Sequence, residues 1–234
     1  LIPVNRFSEI NEDLARVRAS LKYQQITDPA VVAARLLPFD HLIEEWAHTL
    51  PASWHYKSHR ATGSDGVPSS RYDMQCDEYS ALWIACVWNC YRNVRLLIHE
   101  AIIVAALKNG TEEQKASLQG SATIIASMAN GICHSVSYHL SSWQQSTAAD
   151  AIDEATRWDS DPSPGAFLLL WPLFFSGMLR TSPPDQREWV AKTIRRIGLQ
   201  MGLRLAMFMA DMLDSKALSF SHEDTFLLGE WHPN

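Results

Sequence analysis

The sequence predicts an all-α fold, one domain over residues 1–234 with about seven to eight helices around a central buried helix. Three observations predict it. Apolar residues recur at spacings of three and four through most of the chain. Capping and breaking residues stand at the ends of those runs. No segment bounded by turns sustains the apolar–polar alternation of a strand.

The first helix spans residues 5–22, with Phe7, Ile10, Leu14, Val17 and Leu21 on one face. Asp28-Pro29 then reads as an N-cap followed by proline at the first helical position. The helix it opens carries Val32, Leu36 and Leu37, and Pro38 ends or kinks it. Asp40 is expected to cap a further helix with Leu42, Ile43 and Trp46 inward, stopped by Pro51. Gly63, Gly66, Pro68 and their serine neighbours make 57–72 a loop.

Residues 76–108 form the central helix. Trp83, Val87, Tyr91, Val94, Ile98 and Ile102 define its main face, and Leu96, Leu97 and Ile103 extend it to an almost all-round apolar surface. Asn109-Gly110 breaks it, and Thr111 caps a helix over about 112–142, weakened at Gly131. A second loop over 146–165 carries Asp150, Asp153, Glu154, Asp159 and Asp161 against Arg157, either a solvated linker or an acidic partner-binding strip. A short apolar helix covers 166–179. Pro183-Pro184 separates it from a last helix over about 185–214, striped by Trp189, Ile194, Ile197, Met201, Leu205, Phe208 and Met212.

The formal charge of −6 argues against this segment contacting DNA directly, since phosphate neutralisation needs a basic face. No apolar run reaches the roughly 20 residues of a membrane span, and no basic-then-apolar signal segment opens the chain. Starting at Leu1, the chain is expected to be a fragment or a processed form. Cys76, Cys86, Cys90 and Cys133 are expected to be reduced, with Cys86 and Cys90 packed on one helix face of an intracellular protein. A metal site is not expected: no His-x3-His pair on a helix and no Cys-x2-Cys spacing occurs. No phosphate loop, nucleophile elbow or dinucleotide fingerprint appears, and no cofactor is expected.

Three stretches together carry a family resemblance. Asp40 to Trp54 is a short helix running into Leu50-Pro51 and a following Trp. Leu82 to His99 has the core Trp-Asn-Cys-Tyr-Arg-Asn-Val-Arg-Leu-Leu-Ile-His. Phe167 to Leu213 combines Leu-Leu-Leu-Trp-Pro-Leu, Arg-Glu-Trp-Val and Ile-Gly-Leu-Gln-Met-Gly. In this order they resemble the fungal-specific regulatory domain found downstream of zinc binuclear clusters in fungal transcription factors. The resemblance implies a helical regulatory module in the nucleus that senses a small hydrophobic metabolite or binds transcriptional machinery. It also implies metabolic gene control, with DNA reached only through a zinc cluster that these residues lack. A homodimer is a further expected partner state. Within Ile132 to Leu140 the family segment carries a small residue and a proline where His134 and Ser137 stand.

Two groups of residues are candidates for function. Arg92, Arg95 and His99 share a stripe on the apolar central helix, where charge needs a partner. They either pair with Asp or Glu elsewhere in the chain or anchor a polar ligand, with Trp88, His139, Trp143 and Trp171 as further lining residues. His134 and Tyr138 lie four apart, as hydrogen-bonded core residues or as an acid–base pair. The second option belongs to an alternative function. There the scaffold is reused as a cytoplasmic cyclase, isomerase or pericyclase of fungal specialised metabolism, with His134 and Tyr138 catalytic. Trp83, Met128, Met201 and Met207 join the aromatic residues either as core or as the wall of an apolar cavity. Arg204 and Asp211, seven apart, are expected to make an intramolecular polar contact.

Overall fold

A computed structural model describes residues 2–60, 72–141 and 164–215. Their class is all-α, with one two-stranded exception. The helices are α1 (Ile2–Tyr23), α2 (Pro29–His48), α3 (Leu82–Asn109), α4 (Glu112–Ala116), α5 (Gln119–Ser141), α6 (Pro164–Met178), α7 (Pro184–Met201) and α8 (Arg204–Asp214). Strands β1 (Lys57–Arg60) and β2 (Gln75–Glu78) form an antiparallel hairpin, with Ser58 opposite Asp77. Trp143 and most of the acidic loop, 146–163, lie outside the described residues.

These residues group into two compact units. The first holds α1, α2, α3 from Val94, α4 and α5 up to Ile125. Here Phe7 and Trp46 stack at 4.6 Å, and Trp46 Nε1 donates to the Pro3 carbonyl at 2.7 Å. The second unit holds the hairpin, α3 up to Asn93, α5 from Ala126, and α6 to α8. Leu169, Leu170, Leu173, Val190, Ile194 and Ile197 are all buried within it.

Local signals set several boundaries. Asp28 caps α2 by accepting from the Ala30 and Val31 amides at 2.8 and 3.4 Å. Thr111 and Gln114 form a reciprocal capping box on α4. Arg187 closes α6, donating from Nε to the Gly177 carbonyl and from Nη2 to that of Leu179.

Several expected boundaries are corrected. Pro38 does not end a helix, and α2 runs through it. The proline forfeits one backbone bond, but Val32, Leu36, Ile43 and Trp46 are buried on both sides of it, and that burial outweighs a single lost bond. Asp40 is consequently a buried mid-helix residue rather than a cap. The 57–72 loop begins as β1, and the central helix starts at Leu82 because residues 75–78 are β2. Four-residue strands are too short to print an alternation. The 112–142 helix is interrupted after Ala116, where the Ser117 hydroxyl donates to the Gln114 carbonyl in the αR turn that closes α4.

The last helix is two. Gly202 adopts φ +66°, and the Leu203 amide bonds back five residues to the Gly198 carbonyl. This closure swings α8 away from the line of α7. Leu205 and Phe208, expected inward, are therefore 42% and 61% exposed. Trp83 is likewise 50% exposed, and Cys90 is exposed rather than packed, while Cys86 is half-buried. All four cysteines are free thiols. Among the described residues, no helix is long and apolar enough to cross a membrane.

Candidate functional site

Charge in an apolar interior has to be answered, and Arg92 shows how. Its side chain, 2% exposed, leaves α3 within the second unit. Nη2 donates to Asp77 Oδ2 at 2.8 Å, and Nη1 donates to the Tyr79 hydroxyl at 2.7 Å and to Asn89 Oδ1 at 3.0 Å. The Tyr79 hydroxyl donates to the same Asp77 oxygen at 3.2 Å, and Ser58 Oγ donates to the other at 2.7 Å. The hairpin register that sets Ser58 opposite Asp77 thus completes the carboxylate's shell. Tyr56 covers the guanidinium, its ring centre 4.8 Å from Cζ.

Burial opposes charge on Arg92, but Tyr79, Tyr56 and Asp77 more than offset it and raise its pKa above the usual value. Burial raises the Tyr79 pKa, so the phenol stays a neutral donor.

A second chain of bonds runs from Asn89 to α5. With Oδ1 fixed by Arg92, Nδ2 donates to Ser135 Oγ at 2.9 Å and lies 3.1 Å from His139 Nε2. That orientation makes Nε2 an acceptor and puts the ring proton on Nδ1. Burial is the main cause that lowers the His139 pKa to about 4; a bond with the Gly165 backbone opposes it, and the Arg92 charge adds to it. His139 is therefore a neutral core imidazole at pH 7.

Gly131 makes room for this cluster. A Cβ there would stand 2.6 Å from Arg92 Nε. Gly131→Ala is expected to destabilise the protein by about 1–3 kcal/mol, the usual cost of forcing an extra group into a packed site. Gly120→Ala, on the same helix, would meet nothing within 4 Å. It should be neutral or stabilising by up to about 1 kcal/mol, as expected where alanine replaces glycine on a helix. Chemical denaturation of both variants checks the contrast.

His134 occupies the opposite position in this chemistry. Its ring lies against Tyr72 at 6.3 Å, and Tyr72 in turn lies against Trp189 at 5.4 Å. Its Nε2 is buried with no hydrogen-bond partner among the described residues. Burial is the main cause that lowers its pKa and so favours the neutral ring, which leaves Nε2 as a buried polar atom without a partner among the described residues. Tyr138 instead stacks edge-on to Tyr79 at 5.1 Å, and burial raises its pKa. Among the described residues no hydrogen bond joins His134 to Tyr138. A weakened base and a weakened acid, not bonded to each other, are poorly tuned for proton transfer at neutral pH.

Arg95 and His99 belong to the first unit. Arg95 clamps Asp40 with Nε at 2.7 Å and Nη2 at 2.8 Å, and reaches Glu44 at 3.2 Å. His99 Nδ1 lies 3.0 Å from Ser121 Oγ, and its Nε2 lies 3.1 Å from Asp40 Oδ2. Burial favours the neutral Asp40, but the adjacent His99 ring and the Arg95 guanidinium outweigh it and hold its pKa to about 2. Ser, His and Asp in a row have the composition of a nucleophile relay. Here, however, Asp40 is already neutralised by a bidentate Arg95, and Nε2 is not aligned for a hydrogen bond to it. The row is a structural pair with two hangers.

Of the remaining candidates, Trp88 is buried and donates to the Trp54 carbonyl at 2.8 Å, stacking on Tyr56 and Tyr91. Trp171 lies in α6 against Phe174 and Phe175. Cys133 is buried with its pKa raised to about 12, mainly by burial, and Gln186 spans it and Asn130. The sequence reading missed Asp40, Asp77, Tyr79, Ser121 and Gly131 as members of these clusters. Among the described residues no group of three or more His, Cys, Asp or Glu is placed to hold a metal ion. Comparisons with protein-family models, with curated proteins and with solved structures give no match to the chain.

Proposed function

We propose that this chain is the regulatory domain of a fungal zinc-cluster transcription factor, acting in the nucleus through a DNA-binding cluster outside these residues. One observation carries the reading. The first two of the three stretches on which the resemblance rests bond to each other: Asp40 of the first to Arg95 of the second, and the Trp54 carbonyl of the first to Trp88 of the second. The shared residues therefore specify a scaffold rather than a reaction centre, as a regulatory module requires.

In this reading His134 is the ligand contact. Its Nε2, unpartnered among the described residues and beside Tyr72 and Trp189, suits a flat, largely apolar metabolite that carries one hydrogen-bonding group. The test is a fusion of the chain to a heterologous DNA-binding domain with a matched reporter in a fungal host. Output that departs from that of the DNA-binding domain alone, at equal protein level, is expected. Output indistinguishable from it under all growth conditions tried contradicts the proposal.

A further inference from the structure

The last helix carries its charges the wrong way round. Arg204 stands in the first turn of α8, and Asp211 and Asp214 stand in the last. A helix N-terminus is the positive end of its dipole, so both ends oppose their own helix. The contact expected between Arg204 and Asp211 is not made. Asp211 Oδ1 and Asp214 Oδ2 are both held at 2.8 Å by Nη2 of Arg195 on α7, one cation for two carboxylates. Arg204 forms no ion pair among the described residues.

The same helix is apolar on both faces. Ala206, Met209, Ala210 and Leu213 are buried inside the second unit. Leu205, Phe208 and the half-buried Met212 follow at spacings of three and four down the outer face, between Arg204 and Asp211.

We infer that α8 is the docking surface for a second copy of this chain, packed antiparallel about a two-fold axis at Phe208. This pairing brings Phe208 against its own copy. It sets Arg204 beside Met212 of the second copy, one residue from that copy's Asp211. Arg204 then meets the end with excess negative charge, and the two helix dipoles lie antiparallel. Self-complementarity of this kind commits the surface to a copy of itself. The inference is independent of the regulatory reading.

One helix per subunit buries less than the roughly 800 Å² per partner of a standard interface, so a weak dimer is expected, with Kd on the order of 10–100 µM. Sedimentation velocity of the full chain from low to high micromolar concentration should show a reversible monomer–dimer shift. Phe208→Asp places two carboxylates on the axis and should weaken the dimer on the order of 30-fold or more, with an unchanged circular dichroism spectrum. Arg204→Glu should weaken it too, and adding Asp211→Arg should recover part of the loss. A chain that stays monomeric throughout, its outer face covered by its own C-terminal residues, overturns the inference. So does a dimer indifferent to Phe208→Asp. A dimer that loses strength with Phe208→Asp but ignores Arg204→Glu overturns the antiparallel register.

Discussion

Replacing Arg92 with methionine should lower the unfolding free energy by about 3–5 kcal/mol, the usual cost of breaking a buried ion pair from one side. The side chains of Arg92 and Asp77 are each only 2% exposed, so Asp77 would be left as an uncompensated carboxylate in the core. Ser58 and Tyr79 would still donate to it, but both donors are neutral. Arg92→Lys should recover little. A single ammonium cannot span Asp77, Tyr79 and Asn89 with the fixed fork that the guanidinium uses. Urea denaturation at pH 7 measures both variants, and a loss below about 1 kcal/mol for Arg92→Met would mean that the pair is not buried as described.

Stability should also fall by about 3 kcal/mol as the pH drops from about 6.5 to about 4, because His139 is held neutral in the fold. The sign follows from proton binding. In that window the unfolded chain protonates this imidazole and the folded chain does not. Acid therefore favours unfolding until the folded-state pKa of about 4 is reached. His134, whose pKa is also lowered by burial, adds a contribution of the same sign. Asp40 acts in a separate window. Its folded pKa of about 2 gives stability that is fully present above the normal carboxylate pKa and is lost as pH falls through about 2. Denaturation midpoints of the native chain and of His139→Gln across pH 4–7 distinguish the two. Glutamine can still accept from Asn89 but cannot titrate, so its profile should be markedly flatter over this range. Parallel profiles would rule out His139 as the group responsible.

What the sequence made legible was local. The Phe7–Leu21 face of α1, the Asp28 cap and the Thr111 capping box depend on residues a few positions apart, and spacing alone reveals them. Pro38 and Gly202 were misread in opposite directions. Pro38 looks like a terminator, but burial on either side carries the helix through it. Gly202 lies inside a stripe that reads as one helix over about 185–214, but its left-handed conformation ends α7. The β1–β2 hairpin is invisible because β1 is exposed along its whole length, which leaves no apolar pattern to read.

The candidate cluster was half legible. A charge in an apolar helix announces that Arg92 needs a partner, but Asp77 sits in a stretch that reads as helix and is set opposite Ser58 only by the hairpin register. Gly131 carried a usable signal. A glycine in the middle of a long helix is costly unless something passes close to it, and here that is Arg92.

Under the proposed function, the buried charges hold a regulatory scaffold together while His134 meets the ligand. Reporter output from the fusion carrying His134→Ala, beside the wild-type fusion at equal protein level, tests it most directly. An altered response is expected with thermal stability essentially retained, since Nε2 has no hydrogen bond to lose among the described residues. Output from the His134→Ala fusion identical to that of the wild type would contradict it.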